Sequence, residues 1–207
     1  MKKPIKYKKA SNQFYRIAYK IAGPLIYLFR PFGIIGKENL RDGAALICSN
    51  HSALIDPFLI AFSSGVDRPI HVFAKIELFS IPVVSTVLWK LGMIPVDRSI
   101  NDITSIKTAL NLLKNGKRVV IFPEGTRASV HDEVAAKSGA VKLAERAGVP
   151  IVPVFIPRKK PFFVKRNLVF GEPYQIEKQP IKRTATDYTK LSEELMDKIE
   201  ALGMNSA

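Results

Sequence analysis

The stretch RVVIFPEGTR, residues 118–127, places a short apolar run directly before a polar turn. Short apolar runs rich in β-branched residues and without polar alternation are typical of strands buried on both faces of an α/β sheet. Pro123 and Gly125 then favour a turn, and glycine lets the backbone approach a ligand closely. The same arrangement recurs in AALICSN (44–50), GMIPV (92–96) and VPIVPVFI (149–156).

Helical patterns separate these runs. One has apolar residues at helical spacing from Ile103 to Leu113, with Asn101 or Asp102 as its cap and Gly116 at its end. A second helix is predicted over 138–147 and a third near the carboxyl end, with one apolar stripe: Leu191, Leu195, Ile199 and Leu202. IHVFA (70–74) and NLVFG (167–171) are further strand candidates. We therefore predict a single α/β domain over 33–207, with a mostly parallel sheet flanked by helices.

Residues 1–32 differ from the rest of the chain. The nine Lys and Arg residues up to Lys37 precede the first acid, Glu38, and apolar and aromatic residues lie between them. The longest uncharged run, residues 21–29, is far shorter than the roughly 20 residues that cross a bilayer. We predict one or two amphipathic helices lying in the membrane interface, broken near Gly23-Pro24. The alternative is an amphipathic helix docked on its own domain.

The overall composition narrows the classes of partner and site. A net charge of +14 over 207 residues favours polyanionic partners: nucleic acid, an anionic membrane surface or phosphorylated substrates. The single cysteine excludes an internal disulfide framework, and the absence of C-x-x-C and H-E-x-x-H gives no indication of a metal site. A reducing, cytosolic setting fits best.

His51 and Asp56, in the stretch NHSALID (50–56), are the candidate acid–base pair. A histidine acts as a general base near neutral pH, and a carboxylate commonly orients it. No serine lies in a G-x-S-x-G turn, and Cys48 lies inside an apolar run, so the proton is expected to come from a substrate. The alternative is that His51 caps a helix beginning near Ser52 while Asp56 is solvated. Such a helix start would also offer free N–H groups to an oxyanion.

Other candidates follow strands as well. Ligands of open α/β sheets bind at the carboxyl ends of strands, so His51, Arg98 and the FPEGTR turn (122–127) are expected at one crevice. Arg127 offers a planar fork for a phosphate or carboxylate, and Glu124 could orient it or accept from a substrate hydroxyl. The alternative is an ordinary turn with a surface salt bridge. RKKPFFVKR (158–166) is a candidate for contact with lipid headgroups or an anionic donor, or a solvated loop.

Four blocks of this sequence, in order, resemble those of the 1-acyl-glycerol-3-phosphate acyltransferase family. They are NHSALID (50–56), GMIPVDRS (92–99), VVIFPEGTR (119–127) and VPIVPV (149–154), with KIEL (75–78) also matching the pattern. The resemblance covers about residues 33–175. The His-x4-Asp block together with FPEGTR downstream makes it specific.

The resemblance implies transfer of a fatty acyl group from a thioester to the sn-2 hydroxyl of lysophosphatidic acid, giving phosphatidic acid. His51 would be the general base and Asp56 would hold its imidazole. Arg98 and Arg127 would bind the acceptor phosphate, with Gly125 letting the loop close on it. Substrate contacts are also expected of Glu124, Thr126 and Lys75. The substrate hydroxyl would then be the nucleophile, so no metal or other cofactor is expected. The donor, acyl-CoA or acyl-ACP (the acyl thioester of acyl carrier protein), is a co-substrate.

Location and rival functions follow from the same features. The expected site of action is the cytoplasmic face of the membrane, with peripheral or monotopic attachment through residues 1–32. Within the enzyme class, the acceptor could be another lysolipid or a different hydroxyl or amine, and water would make the protein a hydrolase. A basic nucleic-acid-binding domain is the remote alternative. No RNP-like, helix-turn-helix or zinc motif supports it, so nucleic acid is not expected as a partner.

Overall fold

A seven-stranded sheet organises the chain. The computed structural model describes residues 7–8, 10–97, 99–100, 102–125, 138–177, 179, 181 and 183–204. The strands are β1 Phe32–Ile35, β2 Ala45–Ser49, β3 Ile70–Lys75, β4 Ile94–Val96, β5 Arg118–Ile121, β6 Ile151–Phe155 and β7 Arg166–Phe170. The helices are α1 Asn12–Phe29, α2 Asp56–Ser64, α3 Pro82–Leu91, α4 Ile103–Lys114, α5 Gly139–Ala147 and α6 Ala185–Met204.

The strand order is β1-β7-β6-β2-β5-β3-β4. Five neighbouring strands, from β6 to β4, run parallel to one another. β7 pairs antiparallel with β6, and β1 pairs parallel with β7, so these two run the opposite way. The predicted mostly parallel α/β sheet is confirmed. The carboxyl ends of the five parallel strands therefore meet at one edge, where ligands of such sheets bind.

The core lies on both faces of this sheet. Successive strand side chains point to opposite faces, so along β2 Leu46 and Cys48 pack with residues of α4, α5 and α6. Ala45 and Ile47 instead pack with residues of α2 on the other face. All five side chains of β2 are buried, which explains the uninterrupted apolar run that identifies this strand in the sequence.

The helices that were predicted after residue 100 are confirmed. Asp102 caps α4 by accepting the Ser105 N–H at 3.0 Å, and Gly116 follows the helix with φ +75°. Helix α3 and strand β1 were not predicted. In α3, Trp89 is buried while Val83 is 77% exposed, so its apolar residues do not form the single stripe that reveals an amphipathic helix. β1 is a four-residue edge strand that is only partly covered.

Helix α1 is continuous, so the expected break at Gly23-Pro24 is wrong. Pro24 lies inside the helix, and Ser11 caps it by accepting the Phe14 N–H at 3.2 Å. Packing explains the continuity, because the Tyr19 hydroxyl donates to the Phe62 carbonyl at 2.9 Å and Gly23 lies against the Phe62 ring. Neighbouring contacts of this kind offset the cost of an internal proline. Among the described residues, no helix has the length and apolar character needed to cross a membrane.

Candidate active site

His51 and Asp56 meet where β2 leads into α2. The His51 Nδ1 atom lies 2.9 Å from Asp56 Oδ2. The Asp56 side chain is fully buried and His51 is 8% exposed. Asn50 fixes the end of β2 to the end of β6, because its amide donates to the Ile156 carbonyl at 2.7 Å and its oxygen accepts the Ile156 N–H at 2.8 Å. The two residues that the sequence separates by five positions are thus in direct contact.

The helix after His51 begins at Asp56, so the expected start near Ser52 is wrong. Residues 51–55 form a turn that closes on Asp56, whose Oδ2 accepts the N–H groups of Ser52 and Ala53, each at 2.8 Å. These N–H groups are already used, and the expectation that they would be free to hold an oxyanion is wrong as well. Asp56 is therefore the residue that shapes the turn carrying His51.

Asp56 is held as a carboxylate by its neighbours. Burial alone would raise its pKa, but the hydrogen bond from His51, the Lys160 ammonium and the Ala53 and Ser52 N–H groups together lower the pKa below its ordinary value. An ionised carboxylate only accepts hydrogen bonds, so Nδ1 of His51 carries the proton in this pair. That tautomer leaves Nε2 as the ring nitrogen with a free lone pair.

Residues 122–125 of the FPEGTR stretch reach the same place from β5. Gly125 has φ +73°, and its N–H donates to the Phe122 carbonyl at 2.9 Å, which closes the turn predicted from Pro123 and Gly125. The Phe122 ring stacks on the His51 imidazole, with centroids 4.1 Å apart. This contact limits the orientations that the imidazole can adopt.

Glu124 points inward and is 2% exposed. Its Oε2 accepts the backbone N–H of His51 at 3.2 Å, and its Oε1 lies 3.0 Å from Arg158 Nη2. Burial raises the pKa of Glu124, while Arg158 and the His51 N–H act in the opposite direction. Both oxygens thus support the His51 turn. A substrate contact by Glu124 stays a prediction.

The sequence did not single out Arg158 and Lys160 as parts of the His51 site. Arg158 bridges Glu124 and Glu200 of α6, with its Nη2 2.7 Å from Glu200 Oε1. The Lys160 Nζ lies 3.0 Å from Asp56 Oδ1 and donates to Ser52 Oγ at 2.6 Å. The sequence does contain an indication of their position, because both residues follow β6 and the carboxyl ends of parallel strands lie at the same edge of a sheet. Their contacts with β2 and β5 residues depend on the strand order.

The remaining predicted residues divide into two groups. Arg98, Thr126 and Arg127 lie outside the described residues. Lys75 ends β3, is exposed and pairs with Glu77 at 3.2 Å. It is not among the residues lining the cleft beside His51.

That cleft has a volume of about 260 Å³. It opens at the carboxyl ends of the parallel strands, and His51 forms part of its wall. Most of the other lining residues are apolar, among them Phe73, Val96, Ile106 and Val120. A mostly apolar cleft with a few polar groups in its wall is the usual form of a small-molecule site.

Comparison with known proteins identifies the family. A family model described as Acyltransferase matches residues 32–157. The 1-acyl-sn-glycerol-3-phosphate acyltransferase of Bacillus subtilis is 38% identical over 147 residues, which cover 68% of this chain and 72% of that protein. The chain belongs to the 1-acyl-sn-glycerol-3-phosphate acyltransferase family.

Two further acyltransferases show how far the likeness reaches. The 1-acyl-sn-glycerol-3-phosphate acyltransferase of Borreliella burgdorferi is 33% identical over 165 residues, which cover 77% of this chain and 63% of that protein. The crystal structure of PlsC from Thermotoga maritima, titled a 1-acyl-sn-glycerophosphate (LPA) acyltransferase, aligns with a TM-score of 0.65 at 24% identity. It covers 95% of this chain and 78% of that one, which supports the fold. His51, Asp56 and Glu124 lie inside the acyltransferase match, whereas Arg158 and Lys160 follow its last residue.

Proposed function

We propose that this protein transfers a fatty acyl group from an acyl thioester to the sn-2 hydroxyl of 1-acyl-glycerol-3-phosphate, giving phosphatidic acid. The observation that carries the proposal is the buried His51–Asp56 pair, with Nδ1 and Oδ2 2.9 Å apart, at the wall of an apolar cleft. The names of the relatives support the reaction class and the acceptor. The donor is acyl-CoA or the acyl thioester of acyl carrier protein, and no metal or other cofactor is required.

In this mechanism His51 is the general base. Its Nε2 accepts the proton of the acceptor hydroxyl while that oxygen attacks the thioester carbonyl carbon. The tetrahedral intermediate then collapses, the carbon–sulfur bond breaks, and the leaving thiolate takes the proton from His51. Asp56 fixes the tautomer and stabilises the imidazolium that forms in between. The substrate supplies the nucleophile, so no acyl-enzyme forms.

Arginines from two blocks are proposed to bind the acceptor phosphate. Arg98 follows β4 and Arg127 follows β5, and both strands end at the edge that carries the cleft. A guanidinium fork matches a phosphate in geometry and charge. We assign to Gly125 the close backbone approach to the acceptor, and to Thr126 a contact with it. The contacts that the resemblance implied for Glu124 and Lys75 are not part of this proposal, because both Glu124 oxygens support the His51 turn and Lys75 lies outside the lining of the cleft.

The membrane is the proposed location of acceptor and product, and α1 is proposed to bind it. One side of α1 packs on the domain, with Tyr15 buried and the Tyr19 hydroxyl bonded to α2. A helix docked on its own domain needs only this one apolar side. α1 carries a second apolar stripe, here called the outer stripe, which is exposed: Ile17, Ile21, Leu25 and Leu28. Exposed contiguous apolar surface of this kind indicates a further partner.

A loop next to α1 extends the outer stripe. Phe162 and Phe163 are 59% and 68% exposed. The Phe163 N–H donates to the Phe29 carbonyl at 2.9 Å, and the Arg30 guanidinium lies 4.1 Å from the centre of the Phe162 ring. Lys20, Lys165 and Arg166 are exposed around this surface. Apolar side chains bordered by cations fit an anionic bilayer, which explains the basic N-terminus better than nucleic acid does.

Product analysis tests the reaction most simply. The protein is given labelled acyl-CoA or labelled acyl-ACP together with a panel of lysolipids, and the products are separated by chromatography. We expect phosphatidic acid from lysophosphatidic acid and much less product from uncharged lysolipids. Consumption of the thioester without added acceptor would instead indicate a hydrolase. Preferential binding to DNA over anionic liposomes at physiological salt would indicate a nucleic-acid-binding domain.

A further inference from the structure

Lys160 is a nearly buried cation in contact with the proposed catalytic pair. Its side chain is 7% exposed, and its Nζ lies 3.0 Å from Asp56 Oδ1. The same ammonium donates to Ser52 Oγ at 2.6 Å, and that hydroxyl lies 3.3 Å from the Arg158 carbonyl. Lysine is rarely buried to this extent unless it is paired, because removing an ammonium from water is costly.

The two oxygens of Asp56 have different neighbours. Oδ2 accepts from His51 Nδ1 and from the Ser52 and Ala53 N–H groups. Oδ1 is buried, and within the described part of the chain Lys160 is the cation paired with it. Removing Lys160 would leave a buried anionic oxygen without a charged partner, which favours rotation or movement of the carboxylate.

We propose that Lys160 is a positioning residue for acyl transfer. It holds the Asp56 carboxylate so that Oδ2 stays aligned with the His51 imidazole, and its ammonium balances the negative charge of Asp56. The effects on kcat and on the pH–rate profile rest on the proposed function. The positioning itself concerns only the side chains of Lys160, Asp56 and His51.

The charge of Lys160 also affects the proton on His51. When Lys160 is present, its positive charge compensates the negative charge of Asp56. The carboxylate then stabilises the protonated His51 imidazole less strongly. Without Lys160, the imidazole binds its proton more tightly, because an uncompensated anion stabilises imidazolium. Burial lowers the pKa of Lys160, and Asp56 opposes that shift. Arg30, Arg158 and Glu124 are the other charged groups facing this cluster, and they stay in place in the variants below.

The test compares Lys160→Met with Lys160→Arg and with a control, Lys114→Met. Methionine keeps the length of the aliphatic chain without its charge, arginine keeps the charge, and Lys114 is an exposed lysine at the end of α4. The measurements are kcat, KM for each substrate, the pH–rate profile, and the NMR titration of the His51 ring nitrogens. If Lys160→Met does not fold, Lys160→Gln replaces it, since its amide can still contact Ser52.

For Lys160→Met we expect kcat to fall about ten- to a hundredfold, as small misplacements of catalytic groups do, with little change in KM. The acid limb of the profile and the His51 signal in the NMR titration should both move to higher pH, because the anion beside the imidazole is then uncompensated. Lys160→Arg should recover much of kcat, and Lys114→Met should match the parent. A parent-like kcat and acid limb would overturn the inference. So would a rise in KM alone, which would make Lys160 a substrate ligand, or equal effects in the Lys114 variant.

The NMR titration separates this inference from the proposed function. If the parent forms no phosphatidic acid but Lys160→Met still shifts the His51 titration, the reaction is misassigned and the positioning role stands. If phosphatidic acid forms and the titration does not move, the reaction stands and the positioning role is wrong.

Discussion

Asp56 binds the imidazole of His51 and, through the same oxygen, the backbone of the turn that carries it. Oδ2 lies 2.9 Å from His51 Nδ1 and 2.8 Å from the N–H groups of Ser52 and Ala53. Turn geometry and imidazole orientation therefore depend on one carboxylate. This dual use explains why an aspartate, rather than a neutral acceptor, suits this position.

The first prediction concerns the pH dependence of stability. A carboxylate whose pKa falls on folding stabilises the folded state fully above its unfolded pKa of about 3.9, and this contribution is lost as the pH falls through the folded pKa. Asp56 has such a lowered pKa. Urea unfolding of the parent and Asp56→Asn from pH 7 to pH 3 should therefore show a stability gap at pH 7 that shrinks below about pH 4.

The raised pKa of Glu124 acts in the opposite direction, but it is present in both proteins and cancels in the difference. A gap that stays constant down to pH 3 would mean that the ionised form of Asp56 is not what the fold stabilises.

A second prediction concerns Glu124. Glu124→Ala removes the acceptor of the His51 N–H and one partner of Arg158, so it should destabilise the protein by about 2–3 kcal/mol and lower turnover. Glu124→Gln keeps an acceptor and should be milder in both respects. Glu77→Gln, which alters an exposed pair with Lys75, is the matched control and should have almost no effect. Thermal unfolding and steady-state kinetics measure these effects. A stable Glu124→Ala protein whose only defect is a raised KM for the acceptor would favour substrate binding instead.

Much of this arrangement could be predicted from residue patterns. Uninterrupted apolar runs identified β2, β4, β5 and β6, because strands buried on both faces have no polar alternation. β3 and β7 were further strand candidates. The rule that parallel strands share a carboxyl edge brought His51 and the FPEGTR turn together, and Glu124 indeed contacts His51. These inferences need only local sequence and the geometry of a parallel sheet.

The rest depended on contacts that chain order does not reveal. Lys160 reaches Asp56 because β6 lies beside β2, and Arg158 reaches Glu124 across β2 to the turn after β5. The continuity of α1 through Pro24 depends on packing against Phe62, which is distant in sequence. The start of α2 at Asp56 follows from side-chain hydrogen bonds in the turn rather than from helical periodicity.

A third prediction addresses the acceptor phosphate. Arg98→Ala and Arg127→Ala should each lower kcat/KM for lysophosphatidic acid about ten- to a hundredfold, since a hydrogen bond to a charged group contributes roughly 1.5–3 kcal/mol. The loss should be much smaller with an acceptor lacking the phosphate. Steady-state kinetics with both acceptors measure the difference. Equal losses for the two acceptors would assign these arginines to the donor or to the fold.

The fourth prediction tests the membrane surface. Deleting residues 1–32 would uncover buried core around Tyr15, so substitutions on the exposed side are the sharper test. Ile21→Ser with Leu25→Ser, and Phe162→Ser with Phe163→Ser, should each weaken binding to vesicles containing phosphatidylglycerol while thermal stability is kept. Ile181→Ser, at an apolar residue that is 80% exposed outside this surface, is the matched control.

Salt separates the two parts of this binding. High salt should weaken vesicle binding of the parent without abolishing it, because screening removes the attraction of cations but not apolar insertion. Parent-like binding by both double variants would show that the contact lies elsewhere. Complete release of the parent by salt would show that the contact is only electrostatic.

The assignment of His51 as general base is the central claim, and single-turnover transfer from a labelled acyl thioester to lysophosphatidic acid tests it most directly. His51→Ala, shown to be folded by its thermal unfolding, should form labelled phosphatidic acid at least about 10²-fold more slowly than the parent, since positioned bases contribute about 10²- to 10⁴-fold. No label should remain on the protein at any time in either case. A folded His51→Ala protein that transfers the acyl group at the parent rate, or an acyl-enzyme trapped on any side chain, would contradict the account.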